Sequence, residues 1–211
     1  MSGYRMRTIA CLVTLLLTCG LSVADDIVSS WASVKVPPPP PLKTVTVDPS
    51  QTALLLLDFS KATCNMENRP RCAETLPNVT RLLNEARSHH ISVVYSTVMN
   101  GSIEDSPEAL AARPDEPIVS SGADKFLNTD LESILKAKNI HTVIVAGTIA
   151  PGAVLYTAST AALHGFAVVV PVDAMSANDP FSELSTTWVL AHAAVSVSSH
   201  ITLTRSDMIS Y

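Results

Sequence analysis

The stretch HTVIVAGTIAPGAVLYTA, residues 141–158, changes character halfway along. Its first part, residues 142–146, is a short run rich in β-branched side chains bounded by Gly147, and it reads as a central strand covered on both faces. A helix is expected to follow at once. Pro151 suits the first helical position, because its missing N–H would have had no intrahelical partner, so the amides of Gly152, Ala153 and Val154 are expected to point free. Free amides backed by the positive end of a helix dipole suit an anion or a developing oxyanion. Open α/β sheets place their sites at such turns, at the carboxyl ends of parallel strands.

Outward from this turn, strand and helix signals alternate. Residues 52–58, TALLLLD, form a continuous apolar run ending in a carboxylate, which reads as a buried parallel strand with Asp58 at its carboxyl end. Taken alone, Asp58 reads as a cap for the next turn. Val79, Leu82, Leu83 and Ala86 recur at helical spacing within 77–89, and 91–96 is the next strand. Residues 100–117 are polar and hold Pro107, Pro114 and Pro117, so they read as a long surface connection bordering a pocket. Thr129 and Glu132 fit a capping box for a helix whose apolar stripe is Leu131, Ile134 and Leu135. A helix over 151–164 and a strand over 166–170 follow, then a helix opening at Asp179-Pro180 with Phe181, Leu184, Trp188 and Ala191 on one face. Residues 201–204 close the sheet. This alternation predicts an α/β fold, a three-layer α/β/α domain around a mainly parallel central sheet.

With 211 residues, 47% of them hydrophobic and 16% charged, the chain suits one globular domain with a sizeable core. A net charge of −5 gives no basic footprint, which argues against nucleic acid and anionic membrane surfaces as partners. A homo-oligomer is left open. Arg5 and Arg7 precede an apolar run over 8–17, and Ser22-Val23-Ala24 supplies small residues for cleavage. Residues 1–24 therefore read as a signal peptide whose apolar run is too short to span a bilayer, and the protein is expected to be secreted or periplasmic. Residues 25–48, with an unbroken proline run at 37–41, read as a stiff extended lead-in, and 49–211 as the domain.

Once the leader is removed, only Cys64 and Cys72 remain. A pair of cysteines in an exported chain reads as a disulfide closing the loop after the first strand. The alternative, Cys64 as a nucleophile, leaves Cys72 unexplained. The six histidines show neither HxH nor HExxH spacing, so no metal site is expected among them.

Gly147, the small residues after it, Ala153-Val154 and Thr157-Ala158 together resemble the nucleophile turn of the isochorismatase-like hydrolases, a family that includes nicotinamidases and N-carbamoylsarcosine amidases. The resemblance also takes in Asp58 and Lys125, the latter in GADKF, and extends from about residue 52 to the last strand. It implies that Asp58 is a general base, that Lys125 stabilises charge, and that a cysteine would stand where this chain has Ala153. Ala153 has neither a lone pair nor a proton to give, so covalent amide hydrolysis is closed at that position. Isochorismatases proper carry a small residue there and hydrolyse a vinyl ether by acid–base chemistry with water, and the chain resembles them in this.

The resemblance further implies a cis peptide between Thr148 and Ile149, aiming the Ile149 amide at the same point as that of Ala153. Nicotinamidases carry a metal-binding Asp-x-His after the second strand, where this chain has Ser96-Thr97-Val98-Met99-Asn100. No metal and no cofactor are therefore expected. The leading expectation is an exported hydrolase acting on a small molecule through Asp58 and Lys125 without a covalent intermediate. Its alternatives are a catalytically silent binding protein and a cysteine-to-alanine variant of an amidase.

Overall fold

The computed structural model describes residues 26–211, so the leader expected over 1–24 lies outside the described residues. Residues Pro38–Tyr211 form one compact unit. Ahead of it, the segment is not extended throughout. A helical turn, α1 (Ile27–Ser30), is capped by the Asp26 side chain, and a tighter turn over Trp31–Ser33 follows.

The strands are β1 (Val45–Thr46), β2 (Thr52–Leu57), β3 (Ser92–Val98), β4 (Ile118–Ser121), β5 (Thr142–Thr148), β6 (Ala167–Pro171), β7 (Met175–Ser176), β8 (Ile201–Thr204) and β9 (Ile209–Ser210). The main sheet runs β4-β3-β2-β5-β6-β8 with every pairing parallel, and β7 lies beside the end of β5. Helices α2 (Pro70–Ser88), α3 (Leu131–Ala137), α4 (Leu155–Leu163), α5 (Pro180–His192) and α6 (Val195–Ser198) complete the expected α/β/α fold. The unit begins before position 49, because β1 pairs with β9 and the Lys43 amide donates to the Leu203 carbonyl.

The chain leaves β2 for β3 and β4 on one side, then returns to β5 and proceeds to β6 and β8 on the other. Neighbouring strands whose connections diverge leave a crevice at their carboxyl ends, and here those strands are β2 and β5. Both are buried. Ala53, Leu55 and Leu57 pack with Val143 and Val145 into one core, while Leu54 and Leu56 pack with Val79, Leu82 and Leu83 into the other. Burial on both faces is why these strands read as continuous apolar runs.

The structure departs from the sequence reading at several elements. Strand β5 does not stop at Gly147 but continues to Thr148, pairing Gly147 with both Leu57 and Met175. A Cβ at Gly147 would stand 2.5 Å from the Leu57 Cβ and 2.9 Å from the Leu57 carbonyl oxygen. The glycine is thus required by close approach of the two central strands, not by a turn. Gly147→Ala is expected to destabilise the protein by about 1–3 kcal/mol, since overpacking here must shift backbone. Denaturant unfolding measures it, and an unchanged midpoint would contradict the packing.

Helix α2 opens at Pro70, and Pro77, expected at its start, lies inside it. Pro70 takes the first-turn position that proline favours, while the buried face of Cys72, Val79, Leu82, Leu83 and Ala86 holds the helix through the interruption at Pro77. Strand β4 went unread because IVSS ends in two serines and follows a proline-rich connection. The capping box is not formed: the Thr129 hydroxyl accepts from the Leu131 amide, while Glu132 pairs with Lys136 and His164. On α5 the buried residues are Thr186, Thr187 and Leu190, and Phe181 and Trp188 face outward.

Candidate functional site

A cavity of about 430 Å³ opens at the carboxyl ends of β2 and β5, with Asp58, Arg69, Thr148, Ile149 and Ala153 on its wall. Asp58 follows β2 directly and has φ of 59°, a left-handed conformation that aspartate tolerates better than most side chains. Its amide donates to the Ser96 carbonyl at 3.2 Å, and the Ser96 hydroxyl donates back to Oδ1 at 2.8 Å. The other oxygen, Oδ2, lies 2.7 Å from Lys125 Nζ.

Lys125 is fully buried, with no exposed side-chain surface. Its ammonium also donates to the carbonyls of Gly122 at 2.6 Å and Ser121 at 3.1 Å, so its three hydrogens have three close acceptors. The loop that carries it is pinned to α4: the Lys125 amide donates to the Thr157 hydroxyl, and the Thr160 hydroxyl donates to Asp124 Oδ2. Charge is therefore compensated in place. A buried lysine can persist only with such a set of partners. The two residues share one ion pair, yet only Asp58 reaches the cavity wall, with Lys125 beneath it.

The facing wall comes from the turn after β5. The Thr148–Ile149 peptide is cis. A π-helical turn over Ala150–Val154 precedes α4, so the α-helix does not start at Pro151 as expected. Of the three amides expected to point free, those of Gly152 and Val154 donate to the Ile149 carbonyl at 3.0 and 3.5 Å. Inserted π turns recur at functional positions in helices. Ala153 is 3% exposed, and the space above it is open to the cavity.

Cys64 and Cys72 are joined in a disulfide, with Cα atoms 4.9 Å apart. The bridge takes Cys64 off the list of nucleophiles. It spans the end of the β2–α2 connection and the first turn of α2, where the sequence reading had expected only loop. Next to it, Arg71 and Glu183 form a two-pronged ion pair, and Glu183 Oε1 also accepts the Ala177 amide. The hydrogen bond to Glu183 holds the Arg71 guanidinium above the usual arginine range.

Arg69, inside the bridged loop, was not singled out from sequence. Its Nη1 donates to Thr148 Oγ1 at 2.8 Å, and Thr148 Oγ1 also accepts from Ser176 at 3.1 Å. A basic residue between two cysteines just after the strand that ends at Asp58 was the available signal. Ser96 went unread as a partner of Asp58 because the contact depends on the register of β2 against β3.

A family model described as the isochorismatase domain matches residues 52–202. The chain is 23% identical over 162 residues to YwoC, an uncharacterized isochorismatase family protein of Bacillus subtilis, covering 64% of this chain and 82% of that protein. Among solved structures, it is similar to a cysteine hydrolase from Pseudomonas syringae pv. phaseolicola, with a TM-score of 0.66, 22% identity, and 80% of this chain and 94% of that one covered. It is also similar to an isochorismatase from Pseudomonas putida, with a TM-score of 0.67, 17% identity, and 82% and 100% covered. The matched span takes in β2 to β8, and with them both walls of the cavity, so the chain belongs to the isochorismatase family.

Proposed function

We propose that the protein is an exported hydrolase of a small molecule, working by acid–base chemistry at Asp58 without a covalent intermediate. One observation carries this reading. Asp58 is the carboxylate on the cavity wall, with the buried ammonium of Lys125 2.7 Å behind it and Ala153, whose side chain can neither attack nor carry a proton, on the same wall. Asp58 exchanges protons with the substrate and with the attacking water, while Lys125 supplies the compensating charge. Ile149 and Ala153 are on the cavity wall, and their amides would serve as the donors that a developing negative oxygen needs. The vinyl ether of isochorismate fits such a route: its terminal carbon takes a proton, water adds to the carbon that bears the ether oxygen, and the hemiketal so formed breaks its C–O bond to a ketone and an alcohol, with no protein nucleophile needed. Export is supported by the leader pattern of residues 1–24 and by the Cys64–Cys72 bridge, which suits an oxidising compartment.

The test is a screen of the purified protein against isochorismate and small primary amides. Hydrolysis of the vinyl ether and not of the amides is expected. Binding of such ligands with no turnover of either class would instead favour a silent binding protein. Ala153→Cys supplies a complementary result. A thiol at that position is expected to be alkylated by iodoacetamide and to confer hydrolysis of small amides, because it would stand in the same cavity as the Asp58–Lys125 pair. A variant thiol that is inert would contradict the proposed layout of the two walls.

A further inference from the structure

We propose that Arg69 is the substrate-anchoring residue of this cavity, taking a carboxylate, and that the Cys64–Cys72 bridge clamps it there. The ligand class is then a small carboxylic acid with an apolar body. This rests on the hydrolase reading only in calling that ligand a substrate.

Among the described residues, Arg71, Arg87 and Arg205 pair with carboxylates, whereas Arg69, Arg81 and Arg113 do not, and of these three it is Arg69 that lines the cavity. Its one side-chain hydrogen bond is to the Thr148 hydroxyl, which uses Nη1 and leaves the rest of a five-donor fork unspent. That fork stands on the cavity wall beside Val98, Met99, Ile149 and Ala153. Asp58 forms no ion pair with it: Oδ2 meets Lys125 and Oδ1 accepts from Ser96. A guanidinium with no carboxylate partner, on a wall that also carries Val98, Met99 and Ile149, suits the two oxygens of a carboxylate, which it can hold in parallel hydrogen bonds. One cation also matches a monoanion better than a phosphate dianion.

Arg69 is held at both ends of a short, tightly bonded segment. Its amide donates to the Asn65 carbonyl at 3.0 Å, its carbonyl accepts from the Cys72 amide at 3.0 Å, and the disulfide closes the loop around it. The Asn65 side chain accepts the Glu67 and Asn68 amides and donates to the Lys61 and Ala62 carbonyls. The bridge therefore limits where the guanidinium can go, and an anchor restricted in advance loses less entropy on binding.

The experiment is calorimetric titration of the full protein with benzoate and with its neutral counterpart benzamide. Wild type is expected to prefer benzoate by about 10- to 100-fold, the range for a hydrogen bond to a charged group. Arg69→Gln is expected to abolish that preference while leaving benzamide binding unchanged, and Arg69→Lys to restore part of it. Reduction of the bridge, verified by intact mass, should shrink the preference. Equal binding of the two probes, no binding of either, or a preference that survives in Arg69→Gln would overturn the anchor. A preference unchanged by reduction would overturn the clamp. Neither outcome depends on turnover, so Asp58→Asn separates the two readings: lost turnover with the benzoate preference intact upholds both, and retained turnover overturns the hydrolase mechanism alone.

Discussion

Asp58→Asn is expected to lower turnover by about 10²- to 10⁴-fold, the usual contribution of a positioned acid–base group, while the protein stays folded. The substitution preserves shape and leaves an oxygen that can still accept from Lys125. It removes the proton-exchanging carboxylate from the cavity wall. Lys125 keeps the Gly122 and Ser121 carbonyls, so the ammonium is not stranded. The Ser96 hydroxyl, which donates to Oδ1, can rotate to accept instead. A rate assay with circular dichroism on the same preparation tests both halves. Loss of folding along with activity would mean that the pair is chiefly structural.

Lys125→Met is expected to abolish turnover too, but with a large stability cost. It leaves Asp58 without its buried counter-ion and deprives two carbonyls of a donor, that of Ser121 in a buried position. Breaking a buried pair from one side typically costs about 3–5 kcal/mol, which for a domain of this size lowers Tm by roughly 6–20 °C. The asymmetry between the two variants follows from burial: the lysine is sealed beneath the carboxylate, and the carboxylate faces the cavity. Thermal unfolding distinguishes them. Equal and small Tm shifts would contradict a sealed ammonium.

The parallel α/β architecture was legible because β2 and β5 are buried on both faces, which leaves unbroken apolar runs in the sequence. Asp58 was legible as the residue that ends such a run. Lys125 was placed only through family resemblance, since its partners come from the end of β2, from β3, from the end of β4 and from α4, and no local pattern encodes that meeting. Gly147 was read as a stop because glycine ends strands more often than it continues them. Its actual reason, contact with Leu57, lies in a neighbouring strand. Strand β4 escaped because it ends in two serines and follows a proline-rich connection, and Arg69 because its position depends on a covalent bridge and on Thr148, far away in sequence. The turn at Ala150–Val154 was located by its proline and glycines, but its π-helical winding and the capture of two amides by Ile149 were not local properties.

The most direct measurement is turnover of the first substrate that the wild-type protein hydrolyses, at saturating concentration, in wild type and Asp58→Asn, with intact protein mass recorded during the reaction. The expected result is a fall of about 10²-fold or more in Asp58→Asn and no added mass on either protein at any time. A full rate in Asp58→Asn, or a protein adduct that forms and decays with turnover, would contradict non-covalent acid–base hydrolysis at this site.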